Sequence, residues 1–142
     1  MKAFLDTNVL MDWLQESRPC NESAKAIVTA AENNSFTLTI STQSMVDAAY
    51  SLRKAGLPFE SFVKAFRYLR TFVRIVGIDE IDFLWAVEHH SGDFEDDMQY
   101  ASAYNSVCDY FITRDKKLME LNNPLNPMTV MSPDEFVARM ME

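Results

Sequence analysis

Short runs of apolar residues alternate along the chain with longer segments in which apolar residues recur every three or four positions. The short runs predict buried strands, and the longer segments predict amphipathic helices. The predicted strands are 2–5, 36–40, 73–78, 110–113 and 128–131. The predicted helices are 9–14, 21–33, a third from Ser41 or Thr42 to about Gly56, and then 59–72, 81–90, 93–107 and 134–140.

Strands that alternate with helices form a mostly parallel sheet that is covered by helices on both faces. The pattern therefore predicts an α/β fold with three αβα layers and a central, mostly parallel five-stranded sheet. The chain has 142 residues, 48% of them hydrophobic, and no internal repeat or linker. We expect a single domain over residues 1–142. At helix starts, Asn21 is predicted to cap the second helix, and Pro133 fits the first turn of the last.

The composition excludes several classes of protein. Three glycines are too few and too scattered for a phosphate-binding loop or a G-x-S-x-G nucleophile turn. His89 and His90 are adjacent on a predicted helix and diverge, which is poor geometry for one zinc ion. Cys20 and Cys108 form no disulfide framework, and we expect both to be reduced. No apolar run suits a membrane span or a signal peptide, so we expect a cytoplasmic protein without a membrane partner.

The net charge of −8 argues against binding nucleic acid over the whole surface, because such binding depends on Lys and Arg. The basic residues are unevenly distributed, however. Six of them lie between residues 53 and 74, where Glu60 is the only acid. Three of these, Lys64, Arg67 and Arg70, share one side of a predicted helix, which is either a solvated surface or a contact for an RNA backbone.

Four carboxylates are predicted to lie at one edge of the sheet. Asp6 ends the first strand, Asp115 follows the fourth, and Asp47 and Asp96 lie in early turns of helices. Crowded carboxylates repel one another unless cations bind between them, and hard oxygen ligands favour Mg²⁺ or Mn²⁺. Such ions activate a bound water molecule and neutralise the negative charge of a phosphodiester. Asp93 is either a helix cap or a further ligand.

Three segments follow one another in a characteristic order: FLDTNVLMD at 4–12, DFEDDMQYA at 93–101, and the triplet Thr113-Arg114-Asp115. Together they resemble the PIN-domain family of metal-dependent nucleases, which includes the VapC-type ribonuclease toxins. The late segment MSPDEF at 131–136 extends the resemblance over the whole chain.

The resemblance implies that Asp6, Asp96 and Asp115 bind the metal and that the Thr113 hydroxyl lies near them. Asp47 stands where the family usually has Glu, so it is expected to bind through a water molecule. Three further residues are assigned to the surroundings of the site, and their roles are left open. Asn8 either steers substrate or a metal-bound water or caps a helix, and Asp93 is either a helix cap or a ligand. Asp97 could exchange roles with Asp96.

We therefore predict a Mg²⁺- or Mn²⁺-dependent endoribonuclease. For a VapC-like toxin, the resemblance also implies a homodimer and a small antitoxin partner that blocks the site. Two alternatives stay open. One is a non-catalytic PIN-like module that binds RNA or protein. The other is a receiver-type phosphoacceptor domain, which also gathers aspartates around Mg²⁺ but needs a lysine where Asp115 stands.

Overall fold

The computed structural model describes residues 1–140. Its strands are β1 (Lys2–Leu5), β2 (Thr37–Ser41), β3 (Arg74–Val76), β4 (Tyr110–Ile112) and β5 (Thr129–Met131). Its helices are α1 (Thr7–Leu14), α2 (Asn21–Glu32), α3 (Thr42–Lys54), α4 (Phe59–Leu69), α5 (Glu80–Glu88), α6 (Phe94–Asn105) and α7 (Pro133–Met140). A short 3₁₀ helix, which the sequence pattern did not predict, spans Leu118–Leu121.

The five strands form one sheet in the order β3-β2-β1-β4-β5, and every neighbouring pair is parallel. The predicted α/β fold is therefore confirmed, with a parallel sheet flanked by helices. Receiver domains have the different strand order 2-1-3-4-5. The receiver-type alternative is therefore wrong.

The central strand β1 explains why its sequence is apolar without alternation. Ala3 and Leu5 pack into one hydrophobic cluster with residues of α1, α2 and α3, whereas Phe4 packs into a second cluster with Phe111 and Tyr100. Successive side chains of a strand point to opposite faces, so a strand covered on both sides needs apolar residues at every position.

Several observed boundaries differ from the predicted ones by a few residues. Helix α4 ends at Leu69, three residues before its predicted end, and β3 is limited to three residues. Helix α5 begins at Glu80 because Asp79 and Asp82 form a capping box there. Helix α6 ends at Asn105.

The prediction that Asn21 caps α2 is wrong. Cys20 precedes the helix, without a side-chain capping bond, and Asn21 is its first residue. The Asn21 amide instead donates to the carbonyl oxygens of Asp12, at 2.8 Å, and Gln15, at 3.4 Å. It thereby joins the end of α1 to the start of α2, because a buried amide is more stable when it pairs with carbonyls left free at a helix end.

Two composition-based expectations concern the thiols and the helices. Cys20 and Cys108 are both free thiols, and burial raises the pKa of the Cys108 thiol to about 11. Within the described part of the chain, every helix is too short or too polar to cross a bilayer.

A fully buried glutamine, Gln99 on α6, joins three other elements. Its Nε2 donates to Thr7 Oγ1 at 2.9 Å and to Ser44 Oγ at 2.8 Å, and its Oε1 accepts from Ser41 Oγ at 2.8 Å. The two hydroxyls of Thr7 and Ser44 also lie 2.7 Å apart. The network therefore holds together the N-termini of α1 and α3 and the middle of α6.

Replacing Gln99 with Leu is expected to lower the free energy of unfolding by about 3 kcal/mol, because the substitution leaves several buried hydroxyls without their amide partner. The measurement is urea denaturation followed by circular dichroism. Gln15→Leu is the matched control, since among residues 1–140 the Gln15 side chain makes no hydrogen bond. Equal stability of the two variants would contradict a stabilising role for the network.

A candidate acidic site at the carboxyl end of the sheet

The candidate site lies where three adjacent strands end. The residues Asp6, Ser41 and Thr113 terminate or follow β1, β2 and β4, which are neighbours in the sheet. Because parallel strands end at the same edge, the segments after these strands meet there, as the sequence pattern predicted. The first turn of α6, which carries Asp96, completes this edge through the Gln99 network.

Asp6 is the buried centre of the site. Its Oδ1 accepts from the backbone N–H of Thr7 at 2.8 Å, which makes Asp6 the N-cap of α1. Its Oδ2 accepts from the Thr113 hydroxyl at 2.7 Å and from the Asn8 amide at 3.3 Å. Burial raises the pKa of Asp6 to about 6, although these hydrogen bonds lower it, and the charges of Asp115 and Asp93 raise it further.

Asp96 and Asp115 form a carboxyl pair beside Asp6. Burial is the largest cause that raises the pKa of Asp96 to about 8, followed by the hydrogen bond to Asp115 and the negative charge of Asp6. The backbone N–H of Asp115 donates to Thr113 Oγ1 at 3.0 Å, so one hydroxyl orients both Asp6 and the Asp115 loop. Thr113 thus lies where the resemblance implied.

A second carboxyl pair consists of Asp47 and Glu95, and sequence reasoning missed Glu95. The hydrogen bond to Asp47 is the largest cause that raises the pKa of Glu95 to about 7, and burial and nearby acids add to it. Asp47 Oδ1 accepts from the Gln43 amide at 3.0 Å, whereas Asp47 Oδ2 is buried and meets no N–H or hydroxyl donor among residues 1–140. The Asp93–Asp97 segment gave no signal that Glu95 turns toward α3.

The structure resolves which roles Asn8 and Asp93 play at their helix ends. Asn8 is not an N-cap, because Asp6 occupies that position. Its amide contacts Asp6 and Thr113, and its Oδ1 accepts from the backbone N–H of Arg114 at 3.3 Å. Asp93 caps α6 by accepting from the backbone N–H of Asp96 at 3.1 Å. Asp93 also contributes its charge to the cluster.

Asp97 lies apart from the acidic pairs. It is buried, and it accepts hydrogen bonds from the ring of His90 at 2.9 Å and from both the backbone N–H and the hydroxyl of Ser91. Asp96, the neighbouring residue, faces Asp6 and Asp115 instead. An exchange of roles between Asp96 and Asp97 therefore has no support in the geometry.

Asp12 is buried and structural. It pairs with Arg18 through a 2.9 Å contact and with Arg114 through contacts of 2.7 and 3.2 Å. Arg114 directly precedes Asp115, so this ion pair ties the loop that carries Asp115 to α1. The sequence motif contained Arg114, but only the fold shows its partner.

The three predicted RNA contacts, Lys64, Arg67 and Arg70, are exposed on or next to α4. Among residues 1–140, none of their side chains forms a salt bridge, whereas Arg18 and Arg114 are both paired. The charge of this face is therefore available to a negatively charged partner.

The candidate acids have the oxygen ligands that suit a divalent cation, but they are not arranged as a complete coordination shell. No three His, Cys, Asp or Glu side chains of residues 1–140 are arranged to hold one ion. The carboxyl groups instead lie in two pairs, and in each pair the pKa of one member, Glu95 or Asp96, is raised by burial and by the neighbouring acids. The orphaned Asp47 Oδ2 and the raised pKa values of Asp6 and Asp96 are the features that bound positive charge would relieve.

Comparisons with known structures agree with this architecture. Mycobacterium tuberculosis VapC20, a toxin that cleaves the sarcin-ricin loop, is 16% identical with a TM-score of 0.65 over 80% of this chain and 90% of that one. VapBC2 of Rickettsia felis, bound to promoter DNA, is 15% identical with a TM-score of 0.68 over 93% and 98%. A Klebsiella pneumoniae toxin–antitoxin complex is 19% identical with a TM-score of 0.65 over 92% and 97%.

At these identities the likeness concerns the fold. A search of curated protein sequences finds no match. The family assignment instead follows from the sequence model of the PIN domain, which matches residues 2–117, most of the chain. The chain belongs to the PIN-domain family.

Proposed function

We propose that this protein is a Mg²⁺- or Mn²⁺-dependent endoribonuclease whose metal ligands are Asp6, Asp96, Asp115 and Asp47. The observation that carries the proposal is the crowding of carboxyl groups at one edge of the sheet, where burial and mutual repulsion raise the pKa of Asp6 to about 6 and of Asp96 to about 8. Uncompensated acids in such a cluster destabilise a fold, so their presence favours a function that uses them.

The residues of the site have separate roles in this proposal. Asp6 is held by three donors and supplies a rigid carboxylate, and Thr113 keeps its orientation. Asp96 and Asp115 form the second side of the site. A divalent cation bound there would activate water and offset the charge of the scissile phosphodiester.

Asp47 and Glu95 form the other carboxyl pair of the site. Asp47 is one methylene shorter than the Glu that the family usually has at this position, and Glu95 hydrogen-bonds to it from α6. We propose that the longer side chain of Glu95 compensates for the short side chain of Asp47 in binding the metal. A non-catalytic PIN-like binding module is the remaining alternative, and it predicts that RNA binds without being cleaved.

The biological context is a second part of the proposal. The Rickettsia felis and Klebsiella pneumoniae neighbours are toxin–antitoxin complexes, which supports a toxin with a small antitoxin partner. A homodimer, implied by the family resemblance, is checked by the particle mass in solution. Cytoplasmic location likewise stays a prediction.

The nuclease proposal predicts cleavage of single-stranded RNA with Mn²⁺ and its loss in Asp96→Asn or with EDTA. Losing one carboxylate charge removes several kcal/mol of transition-state stabilisation, so the rate falls about 100-fold or more. The measurement is gel analysis of a labelled oligonucleotide. Glu22→Gln, which changes an exposed acid of α2, is the control and retains activity. Cleavage that persists in Asp96→Asn or in EDTA would refute the proposal.

The raised pKa values predict how the stability of the metal-free protein depends on pH. Between about pH 4 and pH 8 the folded protein holds protons on Asp6, Glu95 and Asp96 that the unfolded chain releases. The contribution of these groups to stability therefore falls as pH rises through this range. Thermal unfolding in EDTA should give a higher Tm near pH 5.5 than near pH 8.

Two comparisons control this measurement. Mg²⁺ or Mn²⁺ at pH 8 should raise the Tm, because cations replace the lost protons. Asp96→Asn should flatten the dependence of Tm on pH, since one of the titrating groups is gone. A wild-type protein whose Tm is unaffected by either cation at pH 8 would contradict metal binding by this cluster.

The basic face predicts a salt-dependent contribution to RNA affinity. Replacing Lys64, Arg67 and Arg70 together with Gln should make the negative slope of log affinity against log salt shallower by about 2, because each phosphate contact on a single strand contributes about −0.7. Fluorescence anisotropy with labelled RNA in EDTA measures it. Lys25→Gln on α2 is the control. An unchanged slope would assign these residues to a solvated surface.

A further inference from the structure

A second concave site lies beside the acidic cluster, and neither the family resemblance nor the proposed metal ligands account for it. It is a cavity of about 540 Å³ between the C-terminal end of α5, α6 and the 3₁₀ helix. Its volume falls in the range of cavities that bind small ligands. The lining residues used below are Trp85, Glu88, His89, His90, Lys117 and Glu120.

The cavity adjoins the acidic cluster through two short links. Asp97, which also lines the cavity, directly follows Asp96 in α6. Lys117 donates its backbone N–H to Asp115 Oδ1 at 2.9 Å, so the segment that presents the Lys117 side chain is tied to the cluster. The wall of the cavity is therefore continuous with the acidic cluster at the segment from Asp115 to Lys117.

An aromatic column ends at the wall of the cavity. Phe111 of the sheet contacts Tyr100, Tyr100 contacts Trp85 at a ring-centroid distance of 5.4 Å, and Trp85 stacks on His89 at 4.4 Å with ring planes 11° apart. His89 Nδ1 lies 3.0 Å from the Trp85 carbonyl oxygen, which requires Nδ1 to carry the hydrogen. The exposed His89 ring is thus fixed in orientation, with one face covered by Trp85.

His90 is held in a similar way by a different partner. The buried carboxylate of Asp97 accepts from His90 Nδ1 at 2.9 Å, although the His90 side chain itself is half-exposed. An ionised carboxylate only accepts hydrogen bonds, so Nδ1 carries the hydrogen and Nε2 is left for another molecule. The two histidines that diverge too far for one zinc ion therefore both offer ordered rings to the cavity.

The charged residues of the cavity indicate which ligand fits. Lys117 is a cation beside an otherwise acidic region and suits a phosphate group. Glu88 and Glu120 also line the cavity, and their carboxylates accept hydrogen bonds. A base with an exocyclic amino group donates to such acceptors, as cytosine does to Glu in DNA readers, whereas uracil lacks that group. Single bases unstacked from RNA are commonly bound by aromatic stacking together with such contacts.

We propose that this cavity is the subsite for one unpaired RNA base next to the scissile phosphodiester, and that it prefers adenine, cytosine or guanine over uracil. The base extends the aromatic column by stacking on the free face of His89. Its edge contacts His90 Nε2 and the carboxylates of Glu88 and Glu120, and the neighbouring phosphate pairs with Lys117. The placement of the phosphodiester rests on the proposed nuclease function, whereas binding of the base does not.

The test measures binding in EDTA, where no metal-dependent cleavage interferes. Labelled oligo(A), oligo(C) and oligo(U) of equal length are titrated with the whole protein and followed by anisotropy. Wild type should bind oligo(A) and oligo(C) more tightly than oligo(U). His89→Ala should weaken oligo(A) binding about tenfold, as expected for the loss of one stacking contact, while His89→Phe keeps most of the affinity.

Two results would overturn the subsite. One is equal affinity of wild type and His89→Ala for oligo(A), and the other is a loss in His89→Phe as large as in His89→Ala. Lys117→Gln provides a second readout, because it should lower the salt dependence of binding without changing the order of the three oligonucleotides. His89 and Lys117 are exposed, and the Tm of each variant verifies folding.

The subsite and the nuclease function can fail separately. If RNA is never cleaved but the base preference and the His89 effects appear, the subsite stands and the nuclease proposal is wrong. If RNA is cleaved through Asp96 but all three oligonucleotides bind equally in wild type and His89→Ala, the nuclease stands and the subsite is wrong.

Discussion

The buried side chain of Gln99 is the interaction on which the geometry of the site depends. Its amide satisfies hydroxyls on α1 and α3 at once, so the helices that follow β1 and β2 are held against α6. Two of its three partners and Gln99 itself lie close in sequence to an acid of the cluster: Thr7 follows Asp6, Ser44 is three residues from Asp47, and Gln99 is three residues from Asp96. A polar network with every member satisfied is rigid, and this rigidity keeps repelling carboxylates close together.

The acids within this frame repel one another, and burial together with this repulsion raises the pKa of Glu95 and of Asp96. Asp96 pairs with Asp115 and Glu95 with Asp47, while Asp6 is buried between them under donors from Thr7, Asn8 and Thr113. Arg114 compensates Asp12 just outside the cluster, and among residues 1–140 no Lys or Arg forms a salt bridge with the acids of the cluster. The excess of negative charge is the physical basis for the proposed metal dependence, and it makes an exposed cation such as Lys117 on the neighbouring surface useful to a polyanionic substrate.

Much of the fold could be predicted from the sequence, because it depends on local periodicity. Apolar runs such as that of β1 and helical spacing such as that of α2 and α4 placed every strand and α-helix in the right order, although not the 3₁₀ helix, and parallel pairing then brought Asp6, Asp96 and Asp115 to one edge. Helix ends were less predictable. Asn21 has the chemistry of an N-cap, yet its amide instead donates a hydrogen bond to a free carbonyl group of α1. Such choices depend on which polar groups the tertiary packing leaves unpaired.

The sequence by itself determined the α/β class, the parallel sheet and the gathering of acids at its carboxyl edge, because periodicity, strand-ending residues and motif order are local properties of the chain. Only the tertiary structure decided that Asp97 turns to His90 and away from Asp6, that Glu95 joins Asp47, and that His89 continues an aromatic column. Adjacent residues on a helix point in directions about 100° apart, and which direction meets a partner depends on packing between elements distant in sequence.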